Sequence, residues 1–366
     1  MARVAAHSLV ALVVVPVALV VGAARPVRTP APSRPPVIFT QRLAAPAVNG
    51  PLLVVDQQGE RSGMVQIGAG RDEILALQDG TIRVVATGLT ATCCGFGGLA
   101  PSPRGRYIAF SQEPNGRDKP PTEGLWLVSF DGTGLRRLLF PPPAARLRNP
   151  DRYGDPLSIA PITWSPDRYT LAYAVDLFTD TSINPDFARD AGIWLTRYDQ
   201  GTPRQVFKLA SLATAALTLN AACHGEIPTI TGLSWRPDGR TVVASANCIL
   251  PTRAYNDVHA LVAVDTMTGK GQVLVTPGRD AAVALTTGHI TYVTGSLDTR
   301  GRGRTTLWVA DAQGQHRRPL VTGQGTQGQI GSPTWSPDSQ SIAYLVGQPA
   351  SNNTTDIVRV VDVATG

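Results

Sequence analysis

The sequence predicts an all-β protein built from repeated four-stranded antiparallel units, and three observations predict it. A strand, a Pro-Asp turn and an alternating strand recur along the chain. A second element, strand, Gly-containing turn and strand, follows each copy. The 366 residues include 36 Gly and 30 Pro, well above ordinary use, which punctuates the chain into pieces too short for long helices. With 43% hydrophobic residues there is ample material for a core, so disorder is excluded.

The first element reads ITWSPDRYTLAYAVD (162–176), LSWRPDGRTVVASAN (233–247) and PTWSPDSQSIAYLVG (333–347), more loosely LAPSPRGRYIAFSQE (99–113), and in degenerate form AVALTTGHITYVTGS (282–296). Pro166, Pro237 and Pro337 preset the turn dihedral, and Asp167, Asp238 and Asp338 satisfy the turn's own N–H groups. The strand leaving the turn alternates apolar and polar residues, as a half-buried strand must. The second element is GLWLVSFDGTGLRRLL (124–139), GIWLTRYDQGTPRQVFKL (192–209), HALVAVDTMTGKGQVLV (259–275) and TLWVADAQGQHRRPLV (307–321), with an early copy EILALQDGTIRVVATG (73–88). Four antiparallel strands repeated about six times predict a six-bladed β-propeller. The motif count leaves the last blade one strand short at VVDVATG (360–366). A strand from the N-terminal region, Val37–Thr40 or Leu52–Asp56, is expected to supply it, the alternative being a longer chain.

The WSPDG-type motif with its alternating Ile-Ala-Tyr/Phe strand resembles the repeat of the TolB-like, WD-repeat-like propeller family, over about residues 50–366. The resemblance implies the fold and no single activity. Trp164, Trp235 and Trp335 precede the Pro-Asp turn, and Trp126, Trp194 and Trp308 sit on the third strand. Their repeat-fixed places point to packing between blades rather than to an aromatic binding cage. The turn aspartates are likewise read as turn formers, not metal ligands.

Residues 9–24 form an apolar run after Arg3, with Val21-Gly22-Ala23 as a cleavage site. Residues 1–28 are therefore read as a signal peptide or membrane anchor, 29–50 as a Pro-rich tether that includes the Val37–Thr40 strand candidate, and 51–366 as the propeller. The protein is expected to be exported, periplasmic or extracellular, and to meet a membrane only through this segment. The net charge of +6 comes almost wholly from scattered arginines, only Lys119, Lys208 and Lys270 being lysine. Without a concentrated patch interleaved with aromatics, nucleic acid is not an expected partner.

Function is expected on the face where the long connections gather, the segments 90–98, 113–123, 141–160, 176–191, 210–229, 248–258 and 296–305, because long loops on a rigid scaffold are the usual place for binding. The candidates there are Asp176, Asp180, Asp186, Arg189, His224, Glu226, Asn256 and His259. Catalytic motifs are thin. HExxH, GxSxG and a phosphate loop are all absent, the four aspartates of 176–190 lack EF-hand spacing, and only His224 and His259 sit where two histidines can converge. These residues are read as a non-enzymatic surface for a protein, peptide or cell-envelope glycan, on a monomer with no cofactor or metal. A lyase- or hydrolase-type propeller enzyme with a site at the channel mouth, or a membrane-anchored sensor domain, are the alternatives.

The four cysteines, Cys93, Cys94, Cys223 and Cys248, match no zinc spacing and fall on this same face. Cys223 precedes the first strand of one blade and Cys248 follows its second, so their loops are neighbours and the two are expected to pair. Cys93-Cys94 is left open: a vicinal bridge, a bridge elsewhere, or free thiols. Non-reducing peptide mapping of the exported chain should recover Cys223 and Cys248 in one linked fragment, and finding both thiols free would reject the pairing.

Overall fold

The structure, a computed structural model, describes residues 52–56, 60–62, 65–67, 73–78, 81–87, 96–103, 106–112, 124–139, 157–177, 190–200, 202–209, 229–248, 258–297, 303–324, 329–350 and 353–365. The first strands are β1 (Leu52–Asp56), β2 (Glu60–Ser62), β3 (Val65–Ile67), β4 (Glu73–Gln78) and β5 (Thr81–Thr87). Four meanders follow. They are β6 (Phe96–Pro101), β7 (Tyr107–Gln112), β8 (Gly124–Ser129) and β9 (Arg136–Leu139); β10 (Leu157–Trp164), β11 (Thr170–Leu177), β12 (Gly192–Arg197) and β13 (Arg204–Lys208); β14 (Thr229–Trp235), β15 (Thr241–Cys248), β16 (Val258–Asp265) and β17 (Gly271–Val275); and β18 (Arg279–Val283), β19 (Ile290–Leu297), β20 (Gly303–Ala310) and β21 (Arg318–Gln324). The last sheet is β22 (Gln329–Trp335), β23 (Ser341–Ala350) and β24 (Asn353–Asp362).

Each meander is a four-stranded antiparallel sheet in sequence order. The fold is an all-β propeller, but it has five blades rather than the six that the repeat predicts. Four blades are complete and the fifth, β22-β23-β24, has three strands. The correction arises in residues 52–87. The copy at 73–88 does form a strand, turn and strand, β4 and β5, but β1 pairs directly with β4, and β2 and β3 form a hairpin of their own. That sheet is three-stranded, order β1-β4-β5, and not a four-stranded blade. Leu52–Asp56 heads the sheet β1-β4-β5 and is not hydrogen-bonded to β22, β23 or β24, so among the described residues it does not complete the last blade. Val37–Thr40, the predicted signal or anchor and the tether lie outside the described residues. Among the described residues no helix is long and apolar enough to cross a membrane.

The apolar faces of the blades are buried against each other. One cluster joins Ile193, Val206 and Phe207 of one blade to Ile230, Trp235 and Val262 of the next. Another joins Val243 and Leu261 to Ala281 and Tyr292, and a third joins Val293 and Leu307 to Ile330, Ile342 and Tyr344. The Trp before each Pro-Asp turn stands at a seam, Trp235 by packing alone, since its Nε1 has no partner among the described residues, and the other two by hydrogen bonds. Trp164 Nε1 donates to Ala100 O at 2.9 Å and Trp335 Nε1 to Ala282 O at 3.1 Å, both on the innermost strand of the preceding blade.

Those innermost strands share a defect. The register of β6, β10, β14, β18 and β22 against its neighbour breaks once in each, as a β-bulge. In β18 the break lies between Arg279 and Ala282, and the Ala281 N–H donates to Ser245 Oγ of the preceding blade at 2.9 Å. The Val283 N–H donates to Ser234 Oγ at 2.9 Å, and the Ile330 N–H to Thr305 Oγ1 at 2.8 Å. Hydroxyls of one blade thus satisfy donors of the next.

The turn aspartates are built into their own turns. Asp167 Oδ1 accepts from the N–H groups of Tyr169 and Thr170, and Oδ2 from the Thr170 hydroxyl. Asp238 repeats the pattern on Arg240 and Thr241. Burial raises both carboxyl pKa values and is the largest single influence on each, but these hydrogen bonds together outweigh it and the net shift is downward. At Asp265 the Thr268 N–H, then the Arg240 guanidinium, hold the carboxyl at about 2, below the ordinary 3.8. Depressed folded pKa values stabilise the fold in full above the ordinary value, and that stabilisation is lost as pH falls through the folded values. Thermal unfolding should therefore be level above about pH 5 and fall steeply between the 3.8 and the 2 that bracket Asp265. Asp265→Asn should lower the plateau and shrink that fall, whereas an unfolding temperature constant across the window would contradict this assignment.

Candidate functional site

An antiparallel meander sorts its connections by face. First-to-second and third-to-fourth strand turns lie on one face. Second-to-third connections and those between blades lie on the other. On the first face every described turn is short, for example 165–169, 236–240, 266–270 and 336–340. The strand ends that flank 113–123, 140–156, 178–189, 210–228 and 249–257 stand on the opposite face, those segments themselves lying outside the described residues, while Thr276–Gly278 is a short described connection between β17 and β18.

Two predicted residues stand on strand ends at this face. Asp176 lies on β11 opposite Ser158, and His259 lies on β16 opposite Asn247. Asp180, Asp186, Arg189, His224, Glu226 and Asn256 lie outside the described residues, as do Cys93, Cys94 and Cys223. Cys248 ends β15 opposite Val258. Within the described residues, then, the structure brings none of the other candidates to His259. It sets His259 against Asn247 and Gly278, neither of them a candidate from the sequence.

Ser245 points across the seam, since its Oγ accepts from Ala281 N. Asn247 is two residues further along β15 and projects to the same side. His259, directly opposite, shares that side, and its carbonyl accepts from the Gly278 N–H at 3.3 Å. Asn247 is 5% exposed, and its buried Oδ1 has no hydrogen-bond partner among the described residues. A buried acceptor left without a donor is costly and rare. At the head of β18, just beyond Gly278, Arg279 forms an ion pair with Asp280, their side chains 17% and 12% exposed. Arg279 Nη2 also reaches Ile330 O on β22 at 3.3 Å.

Asp280 sits at φ 52°, a left-handed conformation that Asp tolerates better than most residues. Gly331 on the neighbouring inner strand stays close, because an added Cβ there would lie 3.7 Å from Asp280 Oδ2. The sequence signal for this pair was the run RDAAV (279–283). Two opposite charges stand on an inner strand where the corresponding positions read Ala160-Pro161, Thr231-Gly232 and Gly331-Ser332. Asn247 and His259 face the seam before β18, whereas Arg279 and Asp280 reach β22 across the following seam, so the first seam offers an amide oxygen and an imidazole, which suit hydrogen-bonded recognition of a polar group. Among the described residues no three His, Cys, Asp or Glu side chains group as a metal site.

No protein-family model matches the chain, and no curated protein matches it either. Solved structures do resemble it as β-propellers. A nidogen/laminin complex aligns at 12% identity over 81% of this chain and 88% of that one, with a TM-score of 0.48. A TolB-like protein of Agrobacterium tumefaciens aligns at 18% identity over 86% and 91%, with a TM-score of 0.48. The oligogalacturonate lyase of Vibrio parahaemolyticus aligns at 11% identity over 81% and 72%, with a TM-score of 0.46. Binding proteins and an enzyme stand side by side among these, and the likeness is one of fold.

Arg279→Ala would leave the Asp280 carboxylate mostly buried without its counter-charge and should cost about 3 kcal/mol. Adding Asp280→Asn, which removes the charge and suits the left-handed backbone, should recover part of that loss in chemical unfolding. A double variant no more stable than the single one would show that the two charges are not coupled.

Proposed function

We propose that this chain is an exported, non-enzymatic β-propeller whose long-loop face holds a protein, peptide or cell-envelope glycan. The observation that carries the reading is the buried Asn247 Oδ1 at that face, without a hydrogen-bond partner among the described residues, directly opposite His259. A ligand donor would relieve the cost of that acceptor. The long connections around it, with Asp180, Asp186, Arg189, His224, Glu226 and Asn256, supply the variable contacts. Export rests on the apolar run at 9–24 behind Arg3, which serves as signal or anchor. The reading as a binding module rests on a sequence without HExxH, GxSxG or a phosphate loop.

A photo-crosslinking residue at Asn256, on the long-loop face, should trap a discrete species in the host cell. The same probe at Gln313, on the opposite face in the blade that begins with β18, should not. Equal labelling at both positions, or none at Asn256, would refute the placement. Stoichiometric metal in the purified chain, lost in His224→Ala, would overturn the non-enzymatic reading.

A further inference from the structure

The opposite, short-turn face carries a feature that the long-loop reading leaves unused. Three Arg-Tyr pairs, Arg106-Tyr107, Arg168-Tyr169 and Arg197-Tyr198, come from three separate turns and meet at one seam. Tyr198 lies centrally, 5.4 Å from Tyr107 and 6.1 Å from Tyr169 between ring centroids, the latter pair stacked at 15°. The Tyr198 N–H donates to Tyr169 O at 3.0 Å, and Arg136 of the preceding blade donates to Tyr198 O at 2.8 Å. Arg106 lies over the Tyr107 ring and Arg197 over the Tyr169 ring, at 5.2 and 5.3 Å. The result is a rigid aromatic ladder edged with guanidinium groups, with Tyr169 48% exposed.

Two facts indicate that this ladder is more than packing. Arg168 occupies the left-handed position of its turn, at φ 71°, where the equivalent turn of the next blade has Gly239 at φ 62°. Glycine adopts that conformation freely and an arginine does not; Ser339 also holds it in the last blade, at φ 59°, so the turn admits a side chain, and in this blade that side chain is a strained, charged one. Charge is the second fact. Asp199 is engaged by Arg197 through both oxygens, and Asp167 is spent on its own turn. Neither Arg106 nor Arg168 has a carboxylate partner among the described residues.

We propose that the Arg-Tyr ladder at the seam of the β6–β9 and β10–β13 blades is a docking surface for an acidic protein segment that carries aromatic residues. Exposed tyrosine and arginine on a pre-ordered base are the residues that dominate binding energy at protein interfaces. The unpaired guanidiniums select carboxylates, and the Tyr169 face selects rings. A second copy of this chain is a poor occupant, because the net charge is +6. The surface is independent of the long-loop face, so either assignment can fail without the other.

The test uses the purified exported chain and three probes: a Glu/Tyr random copolymer, poly-glutamate, and polygalacturonate of matched charge. The copolymer should bind saturably and most tightly. Arg168→Gly should weaken it about tenfold or more while thermal stability stays level or rises, since Gly239 occupies the same turn position. Tyr169→Ala should weaken the copolymer more than poly-glutamate, and Asn256→Ala, on the other face, should leave both unchanged. Binding unaltered by Arg168→Gly, the absence of saturable binding, or a preference for polygalacturonate that points to an acidic glycan would each overturn the proposal.

Discussion

The blade seam is the constraint on which the rest of the structure depends. A four-stranded sheet with apolar residues on both faces cannot be stable alone, and each blade hides its faces only by standing against its neighbours. Area is not the whole of the matter. In β18 and β22 backbone donors face the preceding blade in a place with little water, and a hydroxyl from that blade takes them up, as Ser245 does for Ala281 within the β18 bulge and Thr305 for Ile330. Losing such an acceptor would leave a buried N–H without a partner, which costs more than an ordinary hydrogen bond contributes.

This explains why the fold was legible and its count was not. The Trp-x-Pro-Asp motif records local chemistry: a turn that closes on its own carboxylate and an indole that spans a seam. Even the degenerate copy at 282–296 forms its turn and its paired strands. Blade number depends on how strands pair over distance. From sequence, EILALQDGTIRVVATG is half a blade, and its strands do form. That β1 would join β4, with a separate hairpin between them, is a choice among competing pairings that no single turn dictates.

The candidate site divides along the same line. His259 and Asp176 were identifiable as polar residues at strand ends on the loop face. Asn247 was hidden, because it closes a run, TVVASAN, that reads as an ordinary alternating strand, and only its place at the seam shows that its oxygen is stranded. The Arg279–Asp280 pair was visible as adjacent charges, yet its burial follows from a bulge and a left-handed φ that the residue types do not announce. The Arg-Tyr ladder was written in three turns far apart in sequence, and only the blade register stacks them.

The seams are heterologous contacts: the front of one blade meets the back of the next, and the same pair of surfaces recurs from blade to blade among the described residues. Such a contact carries no instruction to stop, just as head-to-tail association of subunits closes only when the rotation per step divides a full turn. Trp164 and Trp335 each tie two blades together through one indole, so a seam residue, unlike a turn residue, belongs to two blades at once, and replacing it alters how both meet without touching a single turn.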